Sequence, residues 1–281
     1  MKRLFIATMA MLVATATALA GSGPDCSPID IPGAVSSTAA GINPRGDVAG
    51  QFTDSNKVTH GFLMDHKGEF TVIDVPGSTR TTVVGINAEG DMVGRFDDAT
   101  GAHGYLLSRG TFTTVQFPGS TFSAAAGINA RGDIIGNYQI GSARFAFTLI
   151  DGTYSTINIP GAIATQGFGI DDSGDLAGSY TTADKVQHGF ILNGSNLTTV
   201  DVPGSKGTIL RGITRGGELS VGTGLFPTGN RVLLLESGEQ SLFNYPGAAT
   251  TIGLGVNANG EFVGDFGDTV TASTFHAYVC R

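Results

Sequence analysis

Tryptophan is absent from the 281 residues, cysteine occurs only twice, and charged side chains make up only 14%. An average soluble domain is about 25% charged. So thin a charge density excludes a coiled coil, a helical bundle and a disordered acidic tail. There is no run of Lys or Arg, and acidic residues outnumber basic ones 24 to 16, so nucleic acid is not an expected partner. Signatures of chemistry are missing too. No nucleotide-binding glycine loop, Gly-x-Ser-x-Gly elbow, zinc-type His spacing or ordered Asp-x-Asp-x-Asp-Gly loop occurs. No cofactor and no metal are therefore expected.

What the sequence does have is glycine, 43 of them, and they are periodic. A Pro-Gly pair recurs at Pro32, Pro76, Pro118, Pro160, Pro203 and Pro246. Eight residues after each of those glycines stands Gly-Ile-Asn or a near copy, led by Gly41, Gly85, Gly127, Gly169, Gly212 and Gly255. Five residues on comes a Gly followed by Asp or Glu, as at Gly46, Gly90 and Gly132. Four further comes another, at Gly50, Gly94, Gly136, Gly178 and Gly264; the fifth unit differs, with Gly222 five residues on. Repeats of this size should be read before anything else.

Each unit reads as four short strands. In the second they are Val83 to Asn87, Asp91 to Phe96, His103 to Leu107 and Phe112 to Phe117, joined by tight turns in which Gly supplies positive φ. The last strand alternates apolar and polar positions, the mark of one buried face. A proline directly after it fits an outer edge strand, where a missing N–H costs little. Four antiparallel strands per 42 to 44 residues is the size of a propeller blade. The expected fold is all-β, a six-bladed β-propeller of four-stranded antiparallel blades, with the glycine-rich first strands at the crowded axis. The ends suit closure: the chain starts with a lone fourth strand, Ser27 to Ile31, and finishes with three strands ending at His276 to Cys280. Cys26 and Cys280 then occupy the cross-strand position held by Leu107 with Phe112 and by Leu149 with Tyr154, and are expected to form a disulfide across the chain break.

Residues 1–20 read as a signal peptide: Lys2 and Arg3, an apolar run from Leu4, then Ala18-Leu19-Ala20. The apolar run is shorter than the ~20 residues of a membrane span. Residues 21–281 form one expected domain, exported to the periplasm or beyond, with no membrane insertion after cleavage. Losing Lys2 and Arg3 leaves it with a net charge of −10.

The repeat resembles the HAF-type extracellular repeat family of bacterial secreted proteins. Its consensus runs Gly-Ile-Asn, a Gly turn, Val-Gly, then His-Ala-Phe. His276-Ala277-Tyr278, His60-Gly61-Phe62, His103-Gly104-Tyr105 and His188-Gly189-Phe190 match its last element. Unit three has Phe145 in place of the His, and unit five, with Arg231-Val232-Leu233, departs most. The resemblance implies export and a propeller-like fold, and no catalytic residues.

A residue present in every unit is there for the unit. Arg45-Gly46-Asp47 and Arg131-Gly132-Asp133 spell an adhesion tripeptide, but the same turn reads Glu89-Gly90-Asp91 elsewhere, so they are read as turns. The recurring histidines are read as structural. All six glutamates fall at the tight turns, hence on one face. The opposite face carries the variable loops and the crossings between units, with Asp54, Asp97, Asp98, Asp184, Asp265 and Asp268 available on it. Candidate ligand-binding residues are Arg80, Asp97, Asp98, Asp184, Lys206 and Arg211. The expected function is a monomeric, non-enzymatic extracellular module binding a glycan or a cell-surface protein. The alternatives are a polysaccharide-active hydrolase or lyase, for which non-repeated polar groups should converge at the axis, and an envelope component with no small ligand.

Overall fold

The computed structural model describes residues 24–281; the expected signal peptide and its cleavage site lie outside the described residues. The described chain is built of β-strands, with a single short 3₁₀ turn at Arg215–Gly217. No helix among these residues is long and apolar enough to cross a membrane.

The repeating element is a four-stranded antiparallel meander. In the second unit Arg80–Ile86, Met92–Asp98, Gly101–Ser108 and Thr111–Val115 pair in succession. Four sheets have four strands each. An eight-stranded sheet consists of two such meanders joined by one parallel pair, Phe122 with Ala102. The outer strand stops earlier than the apolar alternation suggests, at Val115 rather than Phe117. Pro118-Gly119 already belongs to a turn there, closed by Ser120 N–H donating to the Phe117 carbonyl at 3.1 Å, with Gly119 at φ 76°.

Glycines set how closely strands approach. A β-carbon on Gly50, Gly94, Gly136, Gly178, Gly222 or Gly264 would sit between 1.8 and 2.4 Å from a carbonyl oxygen of the neighbouring innermost strand. Gly222 fills the same place as the others, facing Leu210 as Gly50 faces Ala39, so the additional residue of unit five is absorbed in its 3₁₀ turn. At the axis the innermost strands touch one another in chain order. A β-carbon on Gly41 would lie 3.3 Å from Gly85 Cα, one on Gly85 3.2 Å from Gly127 Cα, and one on Gly127 2.5 Å from the Phe168 carbonyl. Gly169 meets Arg211, Gly212 meets Val256, and Gly255 comes within 3.0 Å of Gly41, where the series began.

The asparagine of Gly-Ile-Asn does two jobs. The side-chain oxygen of Asn43 accepts from the N–H groups of Arg45 and Asp47, both at 3.0 Å, and so folds the tight turn. Its amide donates to the Asn87 carbonyl in the next unit at 3.3 Å; Asn87 donates likewise to Asn129, Asn129 to Asp171, and Asn257 to Asn43. The resulting belt breaks where unit four carries Asp171 and unit five Thr214. Asp171 folds its turn as the asparagines do, through the N–H groups of Ser173 and Asp175, but its other oxygen is buried without a partner.

The first and last strands share a sheet. Cys26–Pro28 adds to His276–Cys280 as the outer strand, Cys26 stands opposite Cys280, and the two are disulfide-bonded across 254 residues. The strand is shorter than expected, but Ile29 N–H still donates to the Ala277 carbonyl at 2.8 Å, and Ile29 and Ile31 are buried. Leu107 with Phe112, Leu149 with Tyr154 and Leu192 with Leu197 occupy the equivalent register.

Two outcomes follow. Closing so long a loop stabilises by about 4 kcal/mol or more in the chain-entropy account, so the Cys26→Ala/Cys280→Ala variant should melt well below the parent; equal melting temperatures would contradict a stabilising role for the bond. Asp171→Asn restores the missing amide donor and removes an unpartnered buried oxygen, a change of about 1–3 kcal/mol. Thermal denaturation at neutral pH should show a higher Tm, and a lower one would refute the belt's contribution.

Candidate functional site

The two motifs that most resembled functional signatures are tied into the fold. Arg45 Nε donates to Asp47 at 2.9 Å, and its Nη1 donates to the Ala88 carbonyl of the next unit; Arg131 does the same with Asp133 and the Asp172 carbonyl. The adhesion-like tripeptide is thus a clamp between units. Burial raises the Asp47 carboxyl, but hydrogen bonds from Asn43, His66 and Arg45 outweigh it and hold the group down at about 2. The recurring histidines stack on the aromatic residue of the strand beside them, as His60 on Phe52 at 5.2 Å and His188 on Tyr180 at 5.1 Å. The Nδ1 atoms of His60, His103 and His188 reach the polar residue of the outer strand's end: Asp74 at 2.8 Å, Gln116 at 3.0 Å and Asp201 at 2.9 Å.

Of the candidate binding residues, most do not converge. Asp98 accepts from the backbone and hydroxyl of Thr100, both at 2.7 Å, and Asp184 from the Thr182 hydroxyl and Val186 N–H; these bonds hold both carboxyls below their ordinary range. Each therefore shapes its own loop. Asp97 is gripped at both oxygens by Arg95, at 2.7 and 2.9 Å. Arg80 starts the innermost strand opposite Asp97, with a buried Nε lacking a partner. Lys206 is exposed, and its backbone N–H is held by Leu225.

Arg211 is different. In every unit the pairing of the two inner strands slips at one residue just before the axial glycine, a β-bulge at Ala40, Val84, Ala126, Phe168, Arg211 and Leu254. All six bulge residues line an axial cavity of about 100 Å³ on the side away from the tight turns. Five of them are apolar. Among the described residues, Arg211 is the only ionisable one lining the cavity. Below it the isoleucines that follow the axial glycines, Ile42, Ile86, Ile128, Ile170 and Ile213, with Val256, form a collar that separates it from a second hollow on the turn side.

The Arg211 guanidinium lies over the Phe168 ring, 4.5 Å from its centre, and its Nε is buried with no hydrogen-bond partner. Burial lowers its basicity, opposed by the charge of Asp265. Asp265 stands one step behind the cavity. One of its oxygens accepts from the Thr38 hydroxyl at 2.9 Å, the other is buried and unpartnered, and it does not come within ion-pair distance of Arg211. Burial pushes its carboxyl up to about 6, against the pull of Thr38 and Arg211. The equivalent residue of unit three, Asn137, satisfies both ends of its amide on the backbone of Gly167, donating at 2.9 Å and accepting at 2.9 Å. The sequence places Arg211 and Asp265 on the variable face. Their nearness across units five and six, and the Phe168 ring under Arg211, it does not reveal.

No protein-family model matches the chain, and a comparison with curated proteins finds no match. The fold is similar to several solved structures. TolB from Acinetobacter baumannii aligns with a TM-score of 0.57 at 10% identity over 88% of this chain, which spans only 55% of that one. The β-propeller domain of the Trilobed protease from Pyrococcus furiosus gives 0.55 at 10% identity, over 87% of this chain and 81% of that one. Aleuria aurantia lectin, as a mutant in complex with Fucα1-6GlcNAc, gives 0.53 at 11% identity, over 86% and 94%. The fold is that of a β-propeller. At such identities the likeness shows nothing more.

Asp265 gives a pH-dependent prediction. A carboxyl raised from 3.8 to about 6 by folding binds its proton more tightly in the native state. Its stabilising neutral form is complete below pH 4 and is lost as pH rises through 6. Asp265→Asn should therefore raise Tm at pH 8, by an equivalent of about 2–3 kcal/mol, and far less at pH 4. A gain that does not grow with pH would show that Asp265 is not held in this way.

Proposed function

We propose that the chain is an exported, monomeric, six-bladed β-propeller, closed through its terminal strands and related to the HAF-type repeat proteins, that works as a binding module for an extracellular glycan or cell-surface protein. The binding site is the axial cavity on the variable-loop face. The observation that carries this reading is the lining of the cavity, five apolar bulge residues and a single arginine with an unpartnered nitrogen. A pocket with a few polar groups among apolar walls suits ligand binding. A hydrolase or lyase needs an acid and a base, or a nucleophile and a base, within reach of one substrate. The cavity offers one cation and, behind its wall, one carboxylate. Export is supported by the disulfide, a bond that persists in oxidising compartments. That a propeller of this size can hold a sugar is illustrated by the lectin complex.

The test is a glycan array probed with protein lacking residues 1–20. Binding of a defined set of glycans is expected, lost in Arg211→Leu and kept in Asp98→Ala and Asp184→Ala, whose carboxylates shape loops. Retention in Arg211→Leu together with loss in the loop variants would move the site from the axis to the rim.

A further inference from the structure

Arg211 is an anomaly for the fold. The same position is Ala, Val, Ala, Phe and Leu in the other units, so an apolar residue satisfies the bulge. A guanidinium with an unpartnered buried nitrogen is costly unless an anion completes its hydrogen bonds. Asp265 does not do this, since it makes no direct contact with Arg211 and bonds Thr38 instead. The cavity, at about 100 Å³, has room for a headgroup and not for a whole oligosaccharide. Resting on the reading of the axial cavity as a binding site, we propose that Arg211 receives a ligand carboxylate inserted head first, the acidic sugar of an extracellular glycan being its source. A planar carboxylate matches the fork of guanidinium donors. The aliphatic walls and Phe168 exclude water from the pair and so strengthen it.

Two substitutions should act with opposite signs. Arg211→Leu removes the anchor. Asp265→Asn removes a negative charge that acts on Arg211 from behind the cavity wall and repels an incoming carboxylate; the groups around it are Arg211, Thr38 and Tyr278. Calorimetric titration at pH 8 with trigalacturonate, and with its methyl ester as a neutral counterpart, reads both. The acid should bind at least about tenfold more tightly than the ester, the size of one charge-assisted contact. Arg211→Leu should abolish that preference and Asp265→Asn should strengthen binding of the acid. Without ligand, Arg211→Leu should melt at a higher temperature than the parent, whereas loss of a merely structural arginine would lower Tm.

Equal binding of acid and ester, weaker binding of the acid by Asp265→Asn, or unchanged binding by Arg211→Leu would each overturn the carboxylate site and leave the binding-module reading standing. If every glycan on the array is ignored, benzoate serves as the second probe. An Arg211-dependent rise of Tm with benzoate would keep the carboxylate site and reject the glycan as its source, and no rise would reject both.

Discussion

The innermost strands approach one another more closely than side chains permit, and much else in the molecule follows from this. Where Gly41 meets Gly85 and Gly85 meets Gly127, a β-carbon would already press on the neighbouring backbone. Strands that close cannot keep a regular ladder with the second strand of the unit, whose own glycine sits under a carbonyl. The register slips by one residue in each unit, and the slipped residue turns toward the axis. The glycines thus choose which residue of each unit is bulged into the lining of the cavity. Chemistry at the axis depends on what occupies those bulges, and in this chain one of them is arginine.

The repeated polar residues are consumed by the repeat. Asn43, Asn87, Asn129 and Asn257 fold turns and join units; Arg45 and Arg131 clamp neighbours; His60, His103 and His188 lie on aromatic rings with a polar partner at Nδ1. Departures from the repeat gather at units four and five. Asp171 and Thr214 interrupt the asparagine belt, the Arg215–Gly217 turn replaces the regular one, and Phe168 and Arg211 meet on the other side of the collar. Places where a repeat breaks its own local rules are where a role besides folding is to be sought, and Phe145 of unit three is a further one.

Much of the architecture was legible in the residues because period and spacing are local quantities. The Pro-Gly turn, the alternation ending at Val75 or Val202 and the partnership of Cys26 with Cys280 follow from counting along the chain. The exact ends of strands did not, because a tight turn takes over one or two residues that the apolar pattern assigns to the strand, as after Val115. The site was legible in part. Arg211 and Asp265 are legible as charged residues of the variable-loop face, but so are Asp98 and Asp184, which spend their carboxylates on backbone N–H groups two or more residues away. What separates them is the bulge, a register slip between two strands that no single strand announces. The asparagine belt was hidden for the same reason, since its bonds join residues 42 to 44 positions apart or, for Asn257 with Asn43, 214.

Arg211 also explains why the closure of the ends matters to the centre. The unpartnered Nε of Arg211 and the desolvated carboxyl of Asp265 both cost stability at the seam between units five, six and one, where Thr38 reaches Asp265. That seam adjoins the sheet assembled from both termini. The Cys26–Cys280 bond lies in it, as do Ser37, which accepts from Ala277 N–H at 3.0 Å, and Tyr278, whose hydroxyl donates to the Ile252 carbonyl at 3.1 Å. Covalent closure limits the unfolded chain and does not depend on how well the axis is packed. It therefore offsets an unfavourable axial charge without requiring that the charge be neutralised.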